Sequence, residues 1–190
     1  GGDDGLVVHQ AVSDDCLFVL RRGDAWLKVL THVDDFAVTY NDDGLYDAVF
    51  AVMSADFEIT DYDRGPIGHY VGIKVERLED GAYHLSQQAY IEEVLDRLGL
   101  TDCAHQLSPE ATGSGAKLRP IGRVLSPSEK EFMAAVPYRA AVGALWYVAR
   151  GTRFDIFRAV QQLARYVASP GPEHWTALLR VCGYLARTKA

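Results

Sequence analysis

Nowhere in the 190 residues does an apolar run approach the ~20 residues that a membrane-spanning helix needs. Nothing in the first residues of this sequence resembles a secretory signal, with its basic start, apolar stretch and small-residue cleavage site. Cysteine is scarce. Cys16, Cys103 and Cys182 are far apart and odd in number, so neither a disulfide framework nor a CxxC zinc site is indicated, and reduced thiols are expected. The six histidines also lack metal-ligand spacing and are read as surface or half-buried side chains. What is present is apolar substance: 48% of residues are hydrophobic and 24% charged, enough for a core and against disorder throughout. The start at Gly1 and a helical pattern running on to Ala190 read as a piece of a longer protein.

The net charge of −7 is unevenly spread. Residues 139–190 hold eight Lys/Arg against Asp155 and Glu173, a segment at +6, which leaves the first 138 residues at −13. Such asymmetry points to a nucleic-acid face on the basic half, against the plainer reading of a solvated helix pair.

Residues Cys16–Leu20, Trp26–His32 and Phe36–Tyr40 favour strands, and the last two flank Asp34-Asp35 as a hairpin. Asn41-Asp42-Asp43-Gly44 can cap a helix over Leu45–Ala55, where Leu45, Val49, Val52 and Met53 repeat at helical spacing. Phe57–Thr60 is a candidate short strand, and His69–Arg77 alternates as one strand before turning at Glu79-Asp80-Gly81 into Ala82–Leu85. No strand is expected after Asp3 and Asp4. Ser86 is placed as N-cap of a helix to Leu98, stopped by Gly99. Residues 101–128, rich in Gly, Pro and Ser, read as a loop or linker. Helices then cover Pro137–Ala149, Phe154–Ala168 and Pro172–Arg187.

Adjacent carboxylates within an apolar strand–turn–strand are costly unless they stay solvated or meet a cation. Mg²⁺ accepts one or two carboxylates together with waters and substrate phosphates, so a tight acidic hairpin suits a nucleotidyl-transfer site. Two other acidic or glycine-rich segments fail closer tests. Asp61-Tyr62-Asp63-Arg64-Gly65 begins like a calcium loop, but its twelfth position is Gly72 instead of Glu. Gly113-Ser114-Gly115-Ala116-Lys117 lacks the phosphate-loop spacing and is followed by Leu118. Tyr138, Trp146, Tyr147, Phe154 and Phe157 could stack on bases, yet at helical spacing they are read as core.

The segment Leu30-Thr31-His32-Val33-Asp34-Asp35-Phe36 resembles the Tyr/Phe-Val-Asp-Asp turn of retroelement reverse transcriptases. Ser13-Asp14-Asp15-Cys16-Leu17-Phe18, Phe57-Glu58-Ile59-Thr60-Asp61-Tyr62 and Tyr70-Val71-Gly72-Ile73 resemble segments of the copia-type retrotransposon family. So do Leu85-Ser86-Gln87 with Tyr90-Ile91, Tyr138-Arg139 with Val142-Gly143, Leu145-Trp146-Tyr147, Thr152-Arg153-Phe154-Asp155-Ile156 and Pro172-Glu173-His174-Trp175. The resemblance runs in the family's order from about Ser13 to Lys189. His32 stands where the family has Tyr or Phe, and Phe154 stands where it has proline.

That resemblance implies an α+β chain: a partial palm, built of a small antiparallel sheet with helices, then a helical thumb and connection. Residues 1–100 would hold the C-terminal part of the palm, a primer-contacting hairpin and the first thumb helix; 101–128 would be the loop or linker, and 129–190 the helical thumb/connection. It implies RNA-directed DNA polymerisation with Mg²⁺ (or Mn²⁺), with Asp34 and Asp35 as metal ligands and Tyr70, Gly72 and Ile73 near the primer end. Expected partners are an RNA or DNA template with its primer, deoxynucleotides, and a downstream RNase H domain in an intracellular polyprotein, in a cytoplasmic virus-like particle or the nucleus. No membrane partner is expected. The family's third carboxylate belongs to an upstream strand, for which Asp3, Asp4, Asp14 and Asp15 are poor substitutes, so this chain alone is expected to be inactive. Arg158 and Arg165, like Arg180 and Arg187, stand seven residues apart, two helical turns, and are read as grips on the nucleic-acid backbone. The rival readings are a degenerate or host-retained remnant that at most binds nucleic acid, and an acidic interaction domain.

Overall fold

The computed structural model describes residues 5–59, 67–113 and 117–189. It divides into two compact units, Gly1–His84 and Leu85–Ala190. The chain is mixed α and β, with small sheets first and helices after.

In the first unit, β1 (Val7–Ala11), β2 (Asp14–Arg22), β3 (Ala25–His32) and β4 (Asp35–Tyr40) form an antiparallel meander in that spatial order. Because side chains alternate along a strand, the cross-strand pairs Phe18–Val29 and Leu20–Leu27 share one face. Helix α1 (Asp43–Asp56) brings Leu45 and Tyr46 to the buried cluster of Leu20, Leu27 and Val29, flanked by Val49 and Phe50. Its start follows from local chemistry: the Asp42 Oδ1 accepts from the Leu45 N–H at 2.6 Å. At its end the Phe57 N–H donates to the Met53 carbonyl.

β5 (His69–Tyr70), β6 (Ile73–Arg77) and β7 (Tyr83–Ser86) make a second, three-stranded sheet. The expected single strand over His69–Arg77 is therefore broken. Val71 and Gly72 have φ of 50° and 72°, the pattern of a two-residue type I′ turn, and fold β5 back on β6 with Tyr70 opposite Ile73. Three further expectations change. A strand, β1, does follow the Gly-rich start, held by pairing with β2; Asp3 and Asp4 themselves lie outside the described residues. Phe57–Ile59 forms no strand, because Phe57 is occupied as the cap of α1; Thr60 and the Asp61–Arg64 segment also lie outside. Ser86 does not cap the next helix in the usual way. That helix, α2 (Gln88–Arg97), has Gln87 as N-cap, while the Ser86 hydroxyl accepts from the Gln88 N–H at 3.2 Å.

The second unit holds α2, α3 (Pro127–Ala135), α4 (Tyr138–Gly151), a 3₁₀ turn at Phe154–Ile156, α5 (Phe157–Ala164) and α6 (Pro172–Thr188). Leu145, Val148, Ile156, Val160, Leu163, Leu178 and Leu185 are wholly or almost wholly buried in its core; each such aliphatic side chain contributes about 1.5–3 kcal/mol. Ile91 and Leu95 of α2 belong to the same core, so the unit begins before residue 100, the boundary expected from the sequence. The helix α3 begins inside the expected linker. Ser126 and Glu129 form a reciprocal capping box around Pro127 at the first turn.

The rest of residues 101–126 that are described has no regular structure but is tied down. The buried His174 accepts from the Gly171 N–H through Nδ1 at 2.9 Å, which leaves Nε2 to donate to the Arg119 carbonyl at 2.9 Å. The Tyr166 hydroxyl donates to the Leu118 carbonyl at 3.0 Å.

Candidate functional site

The pairing of His32 with Asp35 leaves Val33 and Asp34 as a two-residue loop between β3 and β4. Val33 has φ of 55°, a conformation that hairpin loops of this length normally reserve for Gly or Asn and that a β-branched residue rarely adopts. The outcome is a tight tip. Asp34 occupies the loop, Asp35 opens β4, and both side chains are exposed. Among the described residues neither carboxylate has a hydrogen bond or an ion pair to neutralise it.

Two further elements reach this end of the unit. β2 starts here, since β3 finishes here and the two are antiparallel; the Asp14 Oδ1 accepts from the Cys16 N–H at 2.9 Å, and Thr31 Oγ1 donates to the Cys16 carbonyl at 3.3 Å. The Tyr70 phenol, from the β5–β6 hairpin, has its pKa raised by burial first and then by the charges of Asp35, Cys16 and Asp14. The sequence placed Asp34 and Asp35 on their hairpin, but it read Tyr70, Gly72 and Ile73 within one unbroken strand; the fold instead puts Gly72 in a second turn with Ile73 paired to Tyr70. The sequence reading also missed that Asp14 approaches the same phenol; strand register was the signal that could have shown it. Even so, no group of three His, Cys, Asp or Glu residues is arranged to hold a metal ion among the described residues. The pair Asp34–Asp35 still fits Mg²⁺, because exposed, unneutralised carboxylates are the donors that ion takes, alongside waters and phosphates.

The four arginines do not act as one surface. Arg158, Arg165 and Arg180 line a cavity of about 1220 Å³ between α5, α6 and residues 100–113 and 117–118, whereas Arg187 does not. Arg158 pairs with Glu110 at 3.7 Å, and Arg165, the C-cap of α5, donates to Gln162 at 3.2 Å. Arg180 turns inward to Ser108 at 3.3 Å, and its buried Nε has no partner among the described residues. It is therefore not the solvent-facing grip that helical spacing alone suggested.

The reverse transcriptase (RNA-dependent DNA polymerase) family matches residues 5–112, more than half of the chain. This chain belongs to the reverse transcriptase family. The retrovirus-related Pol polyprotein from transposon RE2 of Arabidopsis thaliana is 34% identical over 94% of the chain, and that from transposon TNT 1-94 of Nicotiana tabacum is 33% identical over 93%. The chain spans only 11% and 13% of those polyproteins. An uncharacterized mitochondrial protein of Arabidopsis thaliana is 29% identical over 85% of the chain, which covers 62% of that protein. No solved structure matches the chain.

Several copia-like motifs of this reverse transcriptase chain turn out to hold the second unit together. Gln87 is buried, its Oε1 accepting from the Thr152 hydroxyl at 3.0 Å, and it packs so closely on Gly151 that a Cβ there would collide with it. Arg153 clamps Asp155 with Nε at 3.0 Å and Nη2 at 2.8 Å and donates to the Thr188 carbonyl at 2.9 Å, closing the end of α6. The Tyr184 hydroxyl joins this network, donating at 2.8 Å to the same Asp155 Oδ2 that Nη2 meets.

Proposed function

We propose that the chain is the part of a retrotransposon reverse transcriptase that carries the acidic turn of the polymerase site. In this reading the first unit belongs to the palm and its β5–β6 hairpin lies beside the primer end; the second unit is the helical thumb and connection. The observation that carries it is the two-residue tip that exposes Asp34 and Asp35 beside Tyr70. Asp34 and Asp35 would hold a divalent ion, Mg²⁺ or Mn²⁺. When bound, that ion neutralises charge on the reacting phosphates and steadies the attacking and leaving oxygens. The protein's own part is to hold two carboxylates at a fixed tip, with Asp34 on the loop and Asp35 anchored by its pairing to His32. Tyr70, Gly72 and Ile73 would position the primer strand, and a template–primer duplex and deoxynucleotides would be the partners. Arg158, Arg165 and Arg187 are the arginines left to meet the duplex backbone. A third carboxylate would come from outside this chain, so the chain alone would not polymerise.

The test is Mg²⁺-dependent primer extension by the parent polyprotein's reverse transcriptase. Asp34→Asn, which keeps the shape and removes the charge, abolishes extension if Asp34 is a ligand; near-normal extension removes it from the site. A second reading, a non-catalytic remnant, draws on the mitochondrial relative, of which the chain covers 62%. An intact aspartate-bearing strand encoded just upstream would favour the polymerase.

A further inference from the structure

Of the five aromatic residues that the sequence put at helical spacing in the basic segment, the fold buries or engages only some. Tyr138 is buried and donates to the Leu163 carbonyl at 2.9 Å; Tyr147 meets Tyr90 edge-on at 4.8 Å between ring centroids. Phe154 and Phe157 stay at the surface, and Trp146 is half-buried against the core. Trp146 and Phe157 pair with ring centroids 5.3 Å apart, and Phe154 is 71% exposed. Phe154 and Phe157 are three residues apart in a continuous helical path, so they share a side.

Arg139, Gly143, Trp146 and Arg150 recur along α4 at intervals of four, three and four residues, which is a single helix face. Arg139, Gly143 and Arg150 are exposed, and α4 contains no acidic residue. Neither arginine has an ion pair or a hydrogen bond among the described residues. By contrast, Arg153 close by is fully engaged with Asp155 and Thr188. The face thus offers two unpaired guanidinium groups flanking the half-buried Trp146, whose ring meets the exposed Phe157.

We infer that this face of α4, with Phe154 and Phe157, binds single-stranded nucleic acid: bases stack on the exposed rings and phosphates meet Arg139 and Arg150. The chemistry selects that occupant. A single strand offers open base faces to the rings and a phosphate backbone to the two unpaired cations, whereas a duplex keeps its bases stacked away from side chains. Phe154 adds the most exposed ring, at the position where the copia-type pattern has proline. The inference rests on the polymerase reading only in that both concern nucleic acid; it does not involve Asp34 or Asp35.

Fluorescence anisotropy of a labelled oligothymidylate, with a blunt duplex alongside, tests it on the 190-residue chain. Phe154→Ala should weaken the single strand by roughly tenfold, the size of one base stack, leave the duplex unchanged, and keep the circular dichroism of the parent. Phe154→Trp should retain binding. Arg139→Ala with Arg150→Ala should flatten the log–log salt dependence by about 0.7 for each phosphate that is no longer neutralised. Equal affinity of Phe154→Ala and parent, no binding by the parent, or equal losses for strand and duplex overturns the inference. So does self-association in sedimentation that Phe154→Ala abolishes without touching oligonucleotide affinity. Primer extension by the Asp34 variant is read separately, so either idea can fail alone.

Discussion

The Tyr70 phenol stands close enough to the Asp35 carboxylate to feel its charge, so two hairpins that are distant in sequence meet at one end of the first unit. Burial is the larger cause of the raised phenol pKa, Asp35 the next, with Cys16 and Asp14 behind it. A negative charge disfavours the phenolate, which fixes the sign.

Asp35→Asn should therefore let Tyr70 titrate at lower pH, still above 10.0 because its burial remains. Ring-labelled tyrosine followed by NMR reads this directly. In the parent, the contribution of Tyr70 to stability is present below its ordinary pKa and is lost as pH rises through the higher folded value. A Tyr70 titration untouched by the substitution would detach Asp35 from it.

Val33 holds a positive φ that costs a β-branched residue on the order of 1–3 kcal/mol. Val33→Gly should relieve that strain and lose less through the freer unfolded chain, for a net gain of about 1 kcal/mol in urea unfolding. Since Val33 is 91% exposed, no packing is sacrificed. A loss of stability would mean that the loop carries no strain.

Glu129 has its carboxyl pushed down to about 2, first by hydrogen bonds from Arg123 and then by the Ser126 backbone N–H. A depressed carboxyl pKa stabilises above the ordinary value of 4.5, and that contribution is lost as pH falls towards the folded value. The parent should lose more thermal stability than Glu129→Gln when pH drops from about 6 to about 3. Parallel pH profiles would show that the capping box of α3 does not depend on the charge.

Gly183 sits in α6 where an added Cβ would collide with the backbone carbonyl of Ala104, whose segment is held to the helix by the Gln106 N–H on the Gly183 carbonyl at 3.2 Å. Alanine in a helix interior ordinarily stabilises by up to ~1 kcal/mol over glycine. Here Gly183→Ala should reverse that sign and cost about 1–3 kcal/mol, measured by chemical unfolding, because a backbone neighbour cannot step aside as a side-chain tip can.

Where sequence and fold agree, the cause is local. The β3–β4 hairpin was legible because strand alternation stops at an acidic pair, and α1 because Asp42 precedes a helical repeat. Helix α3 was missed: its capping signal Ser126-Pro127-Ser128-Glu129 lies in a stretch whose Gly, Pro and Ser read as a loop. Other features needed three dimensions. The break at Val71–Gly72 runs against the β preference of valine, Arg180 turns to Ser108, which is 72 residues away in sequence, and Asp14 joins Tyr70 only through the meander's register. For the site, the sequence named Asp34, Asp35 and Tyr70 but could not show which arginines stay free.

The core of the first unit gathers five buried residues among those described, against seventeen in the second. Amides in β3 and β4 should thus exchange with solvent through small local openings, while those of α4 and α6 wait for the opening of their whole unit. The acidic tip is carried by the more yielding of the two scaffolds, and its rigidity rests on four short strands and one helix. Anything that clasps the exposed Leu6, Val8 and Val52 around that small core would slow exchange at Asp34 and Asp35 without touching them.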